Sequence, residues 1–243
     1  CVICVLPSPI CVTQRNHCGA THPKPSSVRH RRRPIGNAAD MKLIHRRALL
    51  LSAPLLASAC SVLPDRPYQE ITRYALEPRR QGEGWRGKGR RLLLLRTMRA
   101  PPALDVRGLR SIRPDGTEEV DFYAEWIAPP AEATEQALRR WLMDARLFAA
   151  VLAPGSRANA DLVLEGELTR LIANRAKGQA EAELNFVLIS EREASPRVLG
   201  QMISTGSAAL PSGALRPDQA AAAMNAALGN AFASLEQALS RYA

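Results

Sequence analysis

The chain has 243 residues, of which 46% are apolar, 23% charged and 5% aromatic, a composition that excludes wholesale disorder and suits one folded domain. The formal charge of +10 would suggest a nucleic-acid partner, but residues 60–243 carry 24 Lys and Arg against 22 Asp and Glu. The positive excess therefore lies in the N-terminal segment, and we expect no nucleic acid as partner.

Residues 1–40 begin with Cys rather than Met, hold no aromatic residue and show no helical or strand period. We expect this segment to be an over-extended gene model without folded structure, with Met41 as the true start. A zinc site is the alternative, because the segment contains the side chains that zinc prefers, namely Cys1, Cys4, Cys11, His17 and Cys18. The segment has no second pair of closely spaced ligands at the distance typical of a zinc finger, which argues against zinc.

Residues 41–59 predict a secretory signal peptide. Arg46 and Arg47 precede an apolar run, and small residues at 57–59 come directly before Cys60. The run of about a dozen apolar residues is well short of the roughly 20 that a membrane-spanning helix needs. The arginine pair is also compatible with twin-arginine export, so the export route stays open.

Cys60 is predicted to be the lipid attachment site. The segment 55–60, Leu-Leu-Ala-Ser-Ala-Cys, resembles a bacterial lipobox, in which the thiol receives a diacylglyceryl group and the new N-terminus is acylated, for example with palmitate. A lipobox usually has Leu three residues before the Cys. Here that position is occupied by Ala57, and Leu56 lies one residue earlier. The alternative is an ordinary cleaved signal with a free thiol at Cys60. Residues 60–70 are expected to form the lipidated tether.

Residues 71–243 are predicted to form the folded domain. Residues 79–91, rich in Gly and Arg, are expected to form a mobile basic loop. Apolar stripes at steps of three and four predict two amphipathic helices, beginning at Pro129-Pro130 and at Pro217-Asp218. Apolar runs and alternating residues predict seven strands, at 71–76, 92–95, 108–113, 119–127, 162–172, 180–188 and 198–208. The expected fold is α+β, with a mainly antiparallel sheet and both helices packed on one face.

The loop segment Gly82–Gly87 matches the dinucleotide pattern G-x-G-x-x-G. That pattern needs a strand before it and a helix beginning within it, so that backbone N–H groups face the pyrophosphate. Here the loop leads into the predicted strand 92–95 instead, so nucleotide binding is not favoured. A solvated charge run and contact with anionic lipid headgroups remain as alternatives.

No catalytic or metal site is recognisable beyond Cys60, and we predict a protein that is not an enzyme and needs no cofactor. The sequence after Cys60 contains neither His nor Cys, so a Ser-His-Asp or Cys-His centre is excluded there. The alternating carboxylates Glu165/Glu167 and Glu181/Glu183 are typical of exposed strand faces rather than of a catalytic pair.

Several segments follow the lipobox in a characteristic order: Arg73–Pro78, Arg91–Arg96, Tyr123–Trp126 and Leu147–Val151. Together they resemble the ABC-type transport auxiliary lipoproteins over about residues 70–243. The most specific parts are the Tyr-x-Leu-x-Pro segment after the anchor and the Tyr-x-x-Trp segment before an amphipathic helix.

The resemblance implies a periplasmic lipoprotein, anchored in a membrane by its lipid, that assists an MCE-type lipid transport system. Its implied partners are an MCE-domain protein and an ABC transporter permease and ATPase, and a homo-oligomer is possible. Ser61 stands where an inner-membrane retention signal usually has Asp, which favours the periplasmic face of the outer membrane. The alternative function is an envelope lipoprotein that assists outer-membrane assembly or a lipopolysaccharide translocon.

Overall fold

The computed structural model describes residues 68–87, 89–192 and 195–243. The segment 1–40, the predicted signal peptide at 41–59, Cys60 and most of the predicted tether lie outside the described residues. No helix in the described ranges is long and apolar enough to cross a membrane.

Strands and helices follow one another as predicted, with one short strand added after the first helix. The strands are β1 (Thr72–Tyr74), β2 (Leu92–Leu95), β3 (Gly108–Ile112), β4 (Glu118–Trp126), β5 (Ala150–Leu152), β6 (Leu162–Asn174), β7 (Gln179–Ser190) and β8 (Arg197–Ala209). The helices are α1 (Pro130–Ala145), which precedes β5, and α2 (Pro217–Leu239), which follows β8. The strand β5 was not predicted.

All eight strands form one sheet, which confirms the α+β class but is mixed rather than antiparallel throughout. The long strands β6, β7 and β8 form an antiparallel meander. The other edge of β6 is shared by two strands, since β2 pairs in parallel with its beginning and β3 in parallel with its end. On its outer side, β2 pairs with β5. On the outer side of β3, β4 pairs with β3, and β1 pairs with β4 at the edge of the sheet.

The core lies between one face of the sheet and the two helices. Every second residue of β7 faces this core and is buried, as the alternating pattern predicted. Trp141 of α1 meets Phe232 of α2 edge to face, with ring centroids 5.5 Å apart, so the helices also touch each other. Gly206 of β8 lies so close to α2 that a Cβ there would collide with the backbone of Ala227 and Ala231.

Proline begins both helices, because its missing N–H costs nothing in the first turn. Pro130 and Pro217 are the first helical residues. α1 ends at Ala145, where Arg146 adopts a left-handed conformation with φ of 56°. Phe148, three residues after Ala145, therefore lies beyond the helix, although its side chain is still buried in the core.

Candidate functional site

The Gly/Arg-rich loop is held against both helices by an ion pair between Arg80 and Glu236. The Arg80 guanidinium donates from Nε to Oε2 at 2.9 Å and from Nη2 to Oε1 at 2.7 Å, so the pair is bidentate. Its remaining donors reach the loop's own carbonyl oxygens at Gly82 (2.9 Å) and Glu83 (3.1 Å). Arg80 is therefore part of the structure of the loop and is not free to meet a ligand.

The same carboxylate receives a hydrogen bond from α1. The indole Nε1 of Trp141 donates to Oε2 of Glu236 at 2.8 Å. Burial raises the pKa of Glu236, but the hydrogen bonds from Arg80 and Trp141 and the charge of Arg80 outweigh burial, so its pKa lies below the ordinary value for glutamate. The carboxylate is thus kept ionised and joins the loop, α1 and α2.

Gly84 permits the loop to pack closely on the end of α1, and the loop does not form a phosphate cradle. A Cβ at Gly84 would lie 2.6 Å from the carbonyl oxygen of Asp144. The next residue, Trp85, donates its backbone N–H to the carbonyl oxygen of Ala145 at 2.8 Å. This end of α1 presents carbonyl oxygens, which repel anions, whereas dinucleotide phosphates bind at a helix N-terminus. The structure therefore gives the G-x-G-x-x-G match a packing role.

A groove of about 1140 Å³ runs between this loop and the outer face of α2. Its floor consists of small residues that share one face of the helix, namely Ala222, Ala226, Gly229 and Ala233. The Trp85 ring, with 54% of its surface exposed, forms part of the opposite wall. Polar side chains of Asn225 and Asn230 line the groove as well. Its shape and small floor suit an apolar chain or a partner helix.

A second cavity, of about 600 Å³, lies where β2 leaves the central strand β6. Arg96 and Glu165 face each other there, with Nη1 donating to Oε1 at 2.6 Å. The amide Oδ1 of Asn185 is buried in the same region and has no hydrogen-bond partner. The sequence predicted exposed carboxylates on this strand face; Glu167 is exposed and Glu165 is half-buried, and both line this cavity.

The edge of the sheet formed by β1 and β4 carries exposed aromatic side chains. Phe122 and Tyr123 are 78% and 40% exposed, and their rings meet edge to face at 5.1 Å. In contrast, Trp126 is buried, and Tyr74 packs against the core. The family resemblance drew attention to Tyr74 and Trp126, whereas no sequence pattern singled out Phe122. The signal for it is the adjacent aromatic pair, which cannot point into the core together on a regular strand.

The predicted site residue Cys60 lies outside the described residues, so its modification stays a prediction. Tyr74 and Trp126, which carry the most specific parts of the family resemblance, are brought together: they are register partners in the parallel pair of β1 and β4. In the parts of the chain that the structure describes, no group of three or more His, Cys, Asp or Glu side chains is placed to hold a metal ion.

Comparison with known proteins identifies similar folds. No family model matches the sequence, and no curated protein does. Protein XCC0632 from Xanthomonas campestris, of the family DUF330, has 24% sequence identity and a TM-score of 0.55; the match covers 68% of this chain and 92% of that one. An uncharacterized protein has 13% identity and a TM-score of 0.51, over 71% of this chain and 98% of that one. These likenesses show a shared α+β fold.

Proposed function

We propose that the protein is a membrane-anchored periplasmic lipoprotein that serves as a non-catalytic accessory of an MCE-type ABC lipid transport system. Its task is to dock that machinery at a membrane, the periplasmic face of the outer membrane being the favoured place. The lipid on Cys60 supplies the anchor, and the folded domain supplies the surfaces that bind an MCE-domain protein and the transporter.

The observation that carries this proposal is the pairing of Tyr74 with Trp126. The two segments that most specifically resemble the auxiliary lipoproteins are distant in sequence, yet they lie side by side as β1 and β4. The backbone N–H of Ile127 also donates to the carbonyl oxygen of Tyr74 at 2.9 Å. Residues that form one structural unit are expected to be retained together, which supports reading these segments as one family pattern rather than as separate chance matches.

The binding surfaces of the domain support an accessory role. The groove beside α2 has an apolar floor and a polar rim, which is the arrangement that a partner helix or an extended apolar segment requires. The sequence after Cys60 has no His and no Cys, so it lacks the imidazole that most often acts as general base and the thiol nucleophile.

The anchor is tested by mass spectrometry of the protein extracted from membranes. We expect an acylated Cys60 as the first residue, and Cys60→Ala should release a soluble form, whereas the neighbouring Ser61→Ala should stay in the membrane fraction. Ser61→Asp should move the protein from the outer to the inner membrane fraction. An unmodified thiol at Cys60, or a retained signal peptide, would contradict the proposal.

The partner is tested by affinity capture from crosslinked cell envelopes. Recovery of an MCE-domain protein together with its permease and ATPase is the expected result. Recovery of an outer-membrane assembly barrel or of a lipopolysaccharide translocon, without any MCE-domain protein, would instead establish the alternative. Species at multiples of the protomer mass in the same samples would reveal a homo-oligomer.

A further inference from the structure

The exposed aromatic pair on β4 is held in place by an irregularity of the strand. Arg110 of β3 pairs with Val120 of β4, and Gly108 pairs with Glu125. An advance of two residues along β3 therefore corresponds to an advance of five residues along β4. The three extra residues of β4 form a bulge that is larger than the usual single-residue bulge. Within it, Oδ1 of Asp121 accepts hydrogen bonds from the backbone N–H groups of Tyr123 (2.8 Å) and Ala124 (3.1 Å). We call residues 121–124 the aromatic bulge.

The aromatic bulge lies at the end of the sheet at which β1 begins. β1 runs parallel to β4, with Thr72 beside Ala124 and Tyr74 beside Trp126. The chain that precedes Thr72 therefore approaches from the end of β1 at which Phe122 and Tyr123 lie. Only residues 61–71 separate Cys60 from Thr72, and a chain of that length reaches at most about 40 Å when fully extended.

The charged groups beside the aromatic bulge are compatible with a membrane surface. The Glu125 carboxylate accepts hydrogen bonds from Arg73 and Arg107, each at 2.7 Å. Glu118 is paired with Arg110, and Glu119 with Arg113. Because these three carboxylates are matched by arginines, they do not place unpaired negative charge against anionic lipids, and the Asp121 carboxylate is bound by two backbone N–H groups.

We propose that Phe122 and Tyr123 insert into the headgroup region of the same bilayer that carries the lipid on Cys60, and so fix the orientation of the domain on the membrane. Aromatic side chains with a polar tip are characteristic of the membrane interface. The Phe122 ring is 78% exposed and meets the ring of the adjacent Tyr123, and lipid would remove it from water. The proposal rests on the proposed anchor, whose tether limits the distance between the start of β1 and the bilayer to about 40 Å.

The test places an environment-sensitive fluorophore at position 122. The Phe122→Cys variant is labelled and reconstituted, as the full lipidated protein, into vesicles of phosphatidylethanolamine and phosphatidylglycerol. The matched control is Ile203→Cys on β8. Ile203 is also a large apolar residue, 66% exposed, and β8 lies at the opposite edge of the sheet from β1. We expect a blue shift and quenching by spin-labelled lipid at 122 and water-like emission at 203.

A second sample separates this inference from the anchor. The Phe122→Cys and Ile203→Cys variants are also made with Cys60→Ala and held on nickel-chelating vesicles by an N-terminal polyhistidine tag, which gives proximity without acylation. A blue shift at 122 but not at 203 in this sample supports insertion even if Cys60 proves unmodified. Water-like emission at 122 in both samples overturns the inference and leaves the anchor standing if Cys60 is acylated. A blue shift at 122 without vesicles marks self-association and also overturns it.

Discussion

The indole of Trp141 and the carboxylate of Glu236 connect the two helices through a hydrogen bond of 2.8 Å. The same indole packs edge to face on Phe232. Trp141→Ala removes both contacts and leaves a cavity, so we expect the free energy of unfolding to fall by about 3–5 kcal/mol. Trp85, which is more than half exposed, is the control, and Trp85→Ala should change it by less than about 0.5 kcal/mol. Urea denaturation measures the free energy of unfolding of both variants. Similar losses of stability in the two would contradict the role given to the Trp141 contacts.

Glu236 should make stability depend on pH. Its pKa in the folded protein lies below the ordinary glutamate value, so the ionised carboxylate stabilises the fold at neutral pH. That contribution is fully present above the unfolded-state pKa of about 4.3 and is lost as the pH falls through the lower folded-state pKa. Glu236→Gln cannot ionise, so its stability deficit relative to the wild type should shrink with acidification. Urea titrations at several pH values test this, and a constant deficit would rule it out.

Two glycines should respond in opposite directions to the same substitution. A Cβ at Gly206 would collide with the backbone of α2, so Gly206→Ala should lower the free energy of unfolding by about 1–3 kcal/mol. At Gly229, inside α2, a Cβ would lie 3.6 Å from Pro78 and 3.7 Å from Trp141, which is ordinary contact. Gly229→Ala should therefore raise it by about 0.5–1 kcal/mol. Thermal unfolding measures the stability of both variants. If both substitutions changed the free energy of unfolding in the same direction, the packing explanation would be refuted.

The elements that could be predicted from the sequence are those with a local signal. β7 alternates buried and partly exposed residues along its whole length because one face of the strand is covered, and β8 does so over its middle part. β6 has buried residues on both faces at its two ends. Pro130 and Pro217 mark the helix starts. The parallel pairings of β2 and β3 with β6 were missed, because they depend on segments distant in sequence. β5 has only three residues, too few to show a period.

The site was less predictable than the fold for the same reason. The Arg content of the loop indicated a mobile basic segment, but Arg80 is bound to Glu236, a residue near the other end of the domain, and no local pattern relates the two. The groove is formed only when the loop lies over α2. The bulge of β4 shifts the strand out of its regular period, so Phe122, which alternation from Ala124 and Trp126 would turn toward the core, is exposed.

Two carboxylates that looked equivalent in sequence should differ in their effect on stability. Glu165 forms an exposed pair with Arg96, and its side chain is 38% exposed. The side chain of Glu181 is 12% exposed and accepts hydrogen bonds from Arg170 at 2.7 Å and from the buried amide of Asn174 at 3.3 Å. Removing Glu181 leaves those donors without this partner, and an unsatisfied buried donor is costly.

We therefore expect Glu181→Ala to lower the free energy of unfolding by about 1–3 kcal/mol. Glu165→Ala should change it by less than about 1 kcal/mol, because exposed ion pairs contribute little. Glu181→Gln keeps an acceptor for the Asn174 amide and should recover part of the loss, which separates the hydrogen bond from the charge. Chemical denaturation at neutral pH measures all three variants. Equal effects of Glu165→Ala and Glu181→Ala would mean that the Glu181 contacts do not stabilise this face of the sheet.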